Sequence, residues 1–346
     1  MTFEGKKYVD KCVETVLQSK TKSLEVIVVD NGSTDGTVDY LNQKYHQLKQ
    51  DGKFLCVALD KNYGPAKARN IGVKNSQGKY LGFLDNDTEV DKNWADEAVK
   101  VFNSDKRIGI VQCKLLLNQE RSKLDYVGEY LGQNGFLVQR CQDGEIDRGQ
   151  YDQQVEILAA KSAGMFISRV AFEAVGGFDE DYFIYVEETD LGWRCWLAGY
   201  KAVYAHKSMV YHEFGTSTLS LGQQKKSYQA KFHGCKNYIL TLTKNLELIN
   251  LGKILPVHVF LWWGLAWYSL IFSRNWQSWW WIHKAIFWNL INLSSTRQKR
   301  SLIQSKRQLS DQQLFDKILK KKSWSYFLDK ARDTRQVGHA QGFDQG

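Results

Sequence analysis

The sequence predicts an α/β fold: a Rossmann-like, doubly wound, mostly parallel sheet, followed by a helical, Trp-rich and basic C-terminal appendage. Three observations predict it. Short apolar, β-branched runs alternate with helix-period segments through residues 8–117. Two of those runs stop on aspartates, Asp30 and Asp85, at the strand ends where such sheets place their ligands. Composition then shifts near Leu251 to tryptophan and lysine.

The elements follow in order. Val9, Cys12, Val13, Val16 and Leu17 recur at helical spacing over residues 8–18. Leu24 to Val29 reads as a buried strand that stops at Asp30-Asn31-Gly32. A helix over 37–48, a strand over 54–59, a helix over 65–75 and a strand over 80–84 continue the alternation. Trp94 to Phe102 is a helix and Ile108 to Leu117 a strand. Residues 118–156 are polar and glycine-dotted, a long loop with short strands.

The 346 residues are 43% hydrophobic and 25% charged, which excludes a disordered or collagen-like chain. The net charge of +9 is unevenly placed. Residues 251–346 hold 15 Lys and Arg against 5 Asp and Glu, whereas residues 1–250 hold 32 against 33. Eight of the twelve tryptophans fall between Trp262 and Trp288. A neutral body with a basic, aromatic tail points to an anionic membrane surface and away from nucleic acid. The six cysteines form no C-x-x-C pair, which disfavours a zinc ribbon and fits a reducing compartment. Residues 1–22 carry charges and no long apolar run, unlike a signal peptide.

Five motifs carry chemistry. Asp30-Asn31-Gly32-Ser33-Thr34-Asp35 places a carboxylate at a strand end, where it can accept from a base or ribose. It is equally a well-capped strand-to-helix turn. Asn62-x-Gly64-x-Ala66-Lys67-Ala68-Arg69 sets small residues on one helix face, with Lys67 and Arg69 near a helix start that favours anions; a tightly packed helix with solvated cations reads the same way. Asp85-Asn86-Asp87 offers two carboxylates one residue apart, suited to sharing a divalent cation with a diphosphate, although turns are often rich in aspartate. Glu187-Glu188-Thr189-Asp190 clusters acids that can raise one another's pKa and supply a general base. Asp190 and Arg194, four apart, would pair on one helix face, and a solvated helix start with favourable acids fits too. His212 ends a β-branched run, where a lone histidine is more often structural than a ligand.

Taken together and in this order, the five resemble family 2 of the inverting glycosyltransferases, with the GT-A nucleotide-sugar fold, nearest its bacterial rhamnosyl- and galactosyltransferase-like branch. The resemblance covers residues 5–245 and implies roles. Asp30 and Asn31 would contact the nucleotide, Lys67 or Arg69 the diphosphate, and Asp85 and Asn86 the ribose side. Asp85, Asp87 and His212 would hold Mg²⁺ or Mn²⁺. Gly164, Met165 and Arg194 would lie on the acceptor side. Glu188 would be the base, with Glu187 beside it and Asp190 as an alternative, because this chain has Glu-Glu where the family has Glu-Asp or Asp-Asp. The donor would be a UDP- or dTDP-linked sugar, and the acceptor lipid-linked or a polysaccharide. The resemblance also implies an apolar strand ahead of the first helix; this sequence begins inside that helix, at Thr2-Phe3-Glu4-Gly5.

The expected organisation is therefore a GT-A catalytic domain over 1–245 lacking its first strand, Trp-rich membrane-associating helices over 246–296, and a basic tail over 297–346. Ile254 to Phe272 contains no Lys, Arg, Asp or Glu and could just span a bilayer. Its tryptophans lie centrally, however, which favours an interfacial hairpin with a polybasic flank, peripheral on the cytoplasmic face of the plasma membrane, over a span or a soluble helical cap. A sugar-phosphate nucleotidyltransferase and a degenerate membrane-docked scaffold are the competing readings.

Overall fold

The computed structural model describes residues 1–21, 23–213 and 223–322. Helix α1 (Lys6–Leu17) buries Val9, Cys12, Val13 and Val16, the stripe its spacing predicts. Strands β1 (Val26–Asp30) and β2 (Phe54–Ala58) pair in parallel, Val26 opposite Phe54. The helix expected over 37–48 is broken into α2 (Thr37–Lys44) and α3 (His46–Gln50). Tyr45 interrupts it, because its ring packs 4.9 Å from that of Phe54 while its hydroxyl donates to Asp10 Oδ1 at 2.8 Å.

Next come α4 (Pro65–Lys74), β3 (Tyr80–Phe83), β4 (Thr88–Val90), α5 (Trp94–Ser104) and β5 (Ile108–Leu117). The long polar segment does form short strands: β6 (Leu124–Tyr126), β7 (Glu129–Gly132), β8 (Leu137–Gln139) and β9 (Val155–Ile157). A 3-10 turn, Ser162–Gly164, leads into β10 (Met165–Ser168), α6 (Arg169–Val175), α7 (Glu187–Leu197) and β11 (Lys201–His212). The main sheet runs β3-β10-β5-β11-β4, with β6 on β5 and β9 on β11.

The expectation of a mostly parallel sheet needs correction. β5 and β11 are parallel, but β10 is antiparallel to both β3 and β5, and β4 to β11. β10 enters from the long excursion of residues 118–161 and not from a helical crossover, so it is free to return in the opposite sense. β1 and β2 form a separate two-stranded sheet. Between β1 and β3 lies an apolar cleft of about 850 Å³, lined by Val26–Val29, Val73 and Leu81–Leu84. Thr2 bridges to β1 at its end: its N–H donates to Val29 O (2.9 Å) and its carbonyl accepts from Asn31 N–H (2.8 Å).

The C-terminal part comprises α8 (Gln223–Asn245), α9 (Leu248–Ile271), α10 (Trp276–Ile291), α11 (Leu293–Ser305), α12 (Asp311–Ile318) and β12 (Leu319–Lys320). α8, α9 and α10 share a small core of Cys235, Ile239, Ala266, Ile282 and Ala285. Of the most apolar stretch of α9 only 22% is buried. Phe260, Trp263, Trp267 and Ile271 on α9, and Trp276, Trp280 and Phe287 on α10, are exposed.

The separate basic tail expected from Arg297 is the second correction. α11, α12 and β12 fold back onto the α/β body, where Leu314 and Ile318 enter the main core and Leu319 pairs with Leu131 of β7. Much of the basic excess there meets protein partners. Lys299 pairs with Asp179 and Asp181. Arg300 donates to the carbonyls of Thr243 and Leu246 (both 2.6 Å), Arg307 pairs with Asp311 (3.1 Å) and Lys317 with Glu156 (2.7 Å). Buried apolar side chains drew the segment inward, and charge counting alone does not reveal that. Residues 323–346 of the expected tail lie outside the described residues.

Candidate active site

Asp85 to Asp87 follow β3, and His212 ends β11. β4 pairs His212 with Thr88, bringing the histidine beside the aspartates. One ligand atom from each of Asp85, Asp87 and His212 lies within 4.8 Å of the others. His212 Nε2 is 3.5 Å from Asp87 Oδ1, and Nδ1 is 3.0 Å from Asp125 Oδ2. Burial opposes a charged ring, but the bonds to Asp125 and Asp87 prevail and raise the His212 pKa to about 10. Once the ring gives up its Nε2 proton, the donor set fits a hard divalent cation: carboxylate oxygens plus an imidazole nitrogen aimed by a carboxylate behind it. Asp125, 2% exposed on β6, is one residue that the motifs missed. It sits in the polar segment with no motif around it.

The small-residue helix is α4. Gly64 at its start is required on two counts: its φ is +81°, and a Cβ there would lie 2.4 Å from Phe183 O. Arg69, 7% exposed, is engaged by carboxylates. It donates to Glu187 Oε1 (2.8 Å) and Asp85 Oδ1 (3.3 Å), and Glu188 Oε1 is 3.6 Å away. Lys67 stands over the Tyr63 ring at 4.2 Å, half-buried. Asp30 is 1% exposed; its Oδ2 accepts from Ser33 N–H (2.9 Å), and its Oδ1 has no protein partner among the described residues. Asn31 is 1% exposed. Its amide donates to Asn62 Oδ1 (2.9 Å) and accepts from Tyr63 N–H (3.0 Å), so both ends brace the loop. Asn86 donates to Thr2 Oγ1 (3.3 Å) beside the β1–β3 cleft.

The acidic cluster opens α7. Glu187 is 3% exposed, and burial and then the adjacent Glu188 raise its pKa to about 8, against the pull of Arg69. Glu188 is the more open of the two; its Oε1 accepts from the Ser162 hydroxyl (2.6 Å) and N–H (3.2 Å). Ser162 is thus another residue that the motifs did not single out. Four expectations are corrected here. Asp190 is fully buried and held by Arg194 (2.7 Å), Lys244 (3.0 Å) and Asn245 (3.0 Å), so it cannot reach an acceptor. Arg194 pairs with Asp190, as its spacing predicts, and donates to Val175 O (2.7 Å); at 5% exposure it does not face an acceptor either. Met165 is fully buried in the main core. Gly164 packs in the 3-10 turn, where a Cβ would lie 2.5 Å from Leu115.

Known proteins similar to this chain fall into one group. The O-antigen biosynthesis protein RfbC of Myxococcus xanthus is 29% identical over 203 residues, 57% of this chain and 15% of that protein. The putative teichuronic acid biosynthesis glycosyltransferase TuaG of Bacillus subtilis is 37% identical over 92 residues, 27% of this chain and 35% of that protein. The poly-beta-1,6-N-acetyl-D-glucosamine synthase of Staphylococcus aureus is 25% identical, over 59% of this chain and 46% of the synthase. The chain thus spans less than half the length of each of these relatives. Among solved structures, S. aureus TarS 1-349 in complex with UDP-GlcNAc superposes with a TM-score of 0.55 at 14% identity, covering 88% of both chains. The Pyrobaculum calidifontis mannosyltransferase PcManGT, in complex with GDP-Man and Mn2+, gives 0.51 at 13% identity, over 88% of this chain and 84% of that one. These likenesses identify the fold as GT-A. The profile described as Glycosyl transferase family 2 matches residues 1–151, and that described as Glycosyl transferase family group 2 matches residues 80–294. With the second match spanning more than half the chain, the protein belongs to the family 2 glycosyltransferases.

Proposed function

We propose that the protein is an inverting glycosyltransferase that moves a sugar from a UDP- or dTDP-linked donor to a lipid-linked or polysaccharide acceptor in the synthesis of a surface glycan, with Mg²⁺ or Mn²⁺ as cofactor. One observation carries the reading. The Arg69 guanidinium joins Asp85 to Glu187 and lies 3.6 Å from Glu188, so the D-x-D and the acidic pair form one site. The names of the relatives (O-antigen, teichuronic acid and poly-N-acetylglucosamine synthesis) support the glycan class. The UDP-GlcNAc of one structural neighbour supports a uridine-linked donor, and the Mn2+ of the other supports the cation.

In this reading Asp85, Asp87 and His212 would hold the cation, with Asp125 fixing the ring, and a bound cation would supply charge stabilisation for the departing diphosphate. Glu188, set by Ser162 and Arg69, takes the proton of the acceptor hydroxyl as that oxygen attacks the anomeric carbon from the face opposite the diphosphate. Glu187, buried against Arg69, holds that guanidinium between the two halves of the site. Glu188→Gln in the full chain tests both parts. It should bind UDP with Mn²⁺ as the wild type does by calorimetry, yet release UDP or dTDP from the matching members of a panel of UDP- and dTDP-sugars about 10²–10⁴-fold more slowly. Retained turnover removes Glu188 as base, and UDP binding indifferent to Mn²⁺ removes the cation.

The exposed apolar face of α9 and α10 supports a bilayer as the place of work, with the hairpin lying peripherally on the cytoplasmic face of the plasma membrane. Because Lys299, Arg300, Arg307 and Lys317 have protein partners, attachment rests on aromatic insertion more than on a polybasic flank. The full chain should sediment with zwitterionic phosphatidylcholine vesicles as well as anionic ones, and stay bound in high salt. A chain with Phe260, Trp263 and Trp267 replaced by serine should remain in the supernatant. Release of the wild type by salt, or no difference between the two chains, would overturn apolar docking.

A further inference from the structure

The acidic pair is reached through a backbone turn that its own residues disfavour. Tyr185 (φ 71°) and Val186 (φ 68°) both occupy the left-handed region, which β-branched side chains in particular avoid. Neither is a glycine, so surrounding structure must hold the turn. The turn also decides the direction in which α7 departs, since Val186 is its N-cap and Glu187 and Glu188 are its first residues.

α8 runs along this segment and grips it repeatedly. Lys236 donates to Asp181 O (2.5 Å), Thr241 shares a hydrogen bond with the Tyr182 hydroxyl (2.6 Å), and Asn245 donates to Asp190 Oδ1 (3.0 Å). Between them Asn237, fully buried, donates from Nδ2 to both Ile184 O (2.8 Å) and Tyr185 O (2.7 Å). Positions 237, 241 and 245 recur one helical turn apart on one face. The two carbonyls that Asn237 holds belong to the peptide planes entering Tyr185 and Val186. Fixing those planes fixes φ and ψ of Tyr185 and the plane from which Val186 departs, while the carbonyl of Val186 accepts from Asp190 N–H (2.9 Å).

We infer that Asn237 is a positioning residue: its amide holds the left-handed Tyr185-Val186 turn and so aims Glu187 and Glu188 into the site. This rests on the reading of Glu188 as base. It makes α8 a working part of the catalytic centre as well as the link to α9 and α10. The same helix is tied to α10, where Asn289 donates to Lys236 O (3.1 Å).

The test uses the full chain and three variants: Asn237→Ala, Val186→Gly and the double variant. Glycine adopts a left-handed conformation without a Cβ penalty, so it should replace the clamp. In Asn237→Ala, amide hydrogen exchange across residues 182–190 should speed up at least tenfold while α4 and β5 stay protected. The double variant should restore most of that protection. UDP release from a UDP-sugar should fall about 10–100-fold in kcat for Asn237→Ala, with the donor KM within twofold, and recover in the double variant. Wild-type exchange in Asn237→Ala would overturn the inference, as would a double variant as open as the single one, or loss of protection throughout the body. The exchange arms do not depend on the base: active Glu188→Gln beside an opened Asn237→Ala loop would refute the base and keep the clamp.

Discussion

Two charge clusters meet at α7, a more buried inner one and a more open outer one, and use the same residue types to opposite ends. In the inner cluster Asp179, Asp181 and Asp190 form ion pairs with Lys244, Lys299 and Arg194, and Lys236 stands beside Asp181, so every carboxylate there has a cation. Burial opposes the Asp190 charge, but Arg194 and Lys244 more than offset it and hold the carboxyl below its ordinary range. In the outer cluster Asp85, Glu187 and Glu188 surround a single guanidinium, that of Arg69. There burial and Glu188 push the Glu187 carboxyl up to about 8. A balanced cluster has no use for a further cation, whereas one with surplus negative charge calls for a metal ion or a proton. Charge balance, more than acid content, therefore separates the chemistry of this helix from its anchorage.

The largest expected effect breaks that comparison at its inner cluster. Asp190→Ala leaves Arg194 and Lys244 buried without their shared partner, and should destabilise the chain by about 3–5 kcal/mol in denaturant unfolding. Glu188→Gln should change stability by less than about 1 kcal/mol, because the amide oxygen still accepts from Ser162 while turnover is lost. If Asp190→Ala unfolded no more easily than Glu188→Gln, the division into two clusters would fall.

The sequence carried much of this, and the reasons it carried no more are physical. Strand ends and the helix-start acids were legible because periodicity and turn chemistry are local. Asp85, Asp87 and His212 were named together through the family resemblance, since no spacing rule joins His212 to the two aspartates; the structure brings the three together. Asp190 was misjudged because the residues that neutralise it, Lys244 and Asn245, lie more than fifty positions away on α8. Asp125, Ser162 and Asn237 act only through contacts made by tertiary packing, and no spacing rule marks them. The basic tail misled for the converse reason. Its lysines and arginines are visible in the sequence, but the apolar side chains that pull them onto the body, such as Leu314 and Ile318, are few and widely spaced.

A smaller effect sharpens the comparison with a third kind of carboxylate. Glu129, on β7, accepts from the Thr189 hydroxyl of α7 at 2.7 Å and is 7% exposed. It is too enclosed for a metal ion and forms no ion pair within contact distance among the described residues. Burial raises its pKa from 4.5 to about 7, with Glu188 adding to the rise and Thr189 and Lys161 opposing it. The folded chain therefore holds a proton there that the unfolded chain releases at lower pH. Its contribution to stability is complete below the unfolded pKa and is lost as pH rises through the folded one. Glu129→Gln keeps the acceptor for Thr189 and removes the titration. The wild type should lose stability relative to this variant between about pH 5 and pH 8, by on the order of 3 kcal/mol at most. Thermal unfolding of both chains across that range reads the difference directly. Parallel profiles would mean that Glu129 is charged throughout and that an unseen partner balances it, placing it with the inner cluster; diverging profiles would establish that a carboxylate at α7 lacking both a cation and an opening to solvent settles its charge with a proton.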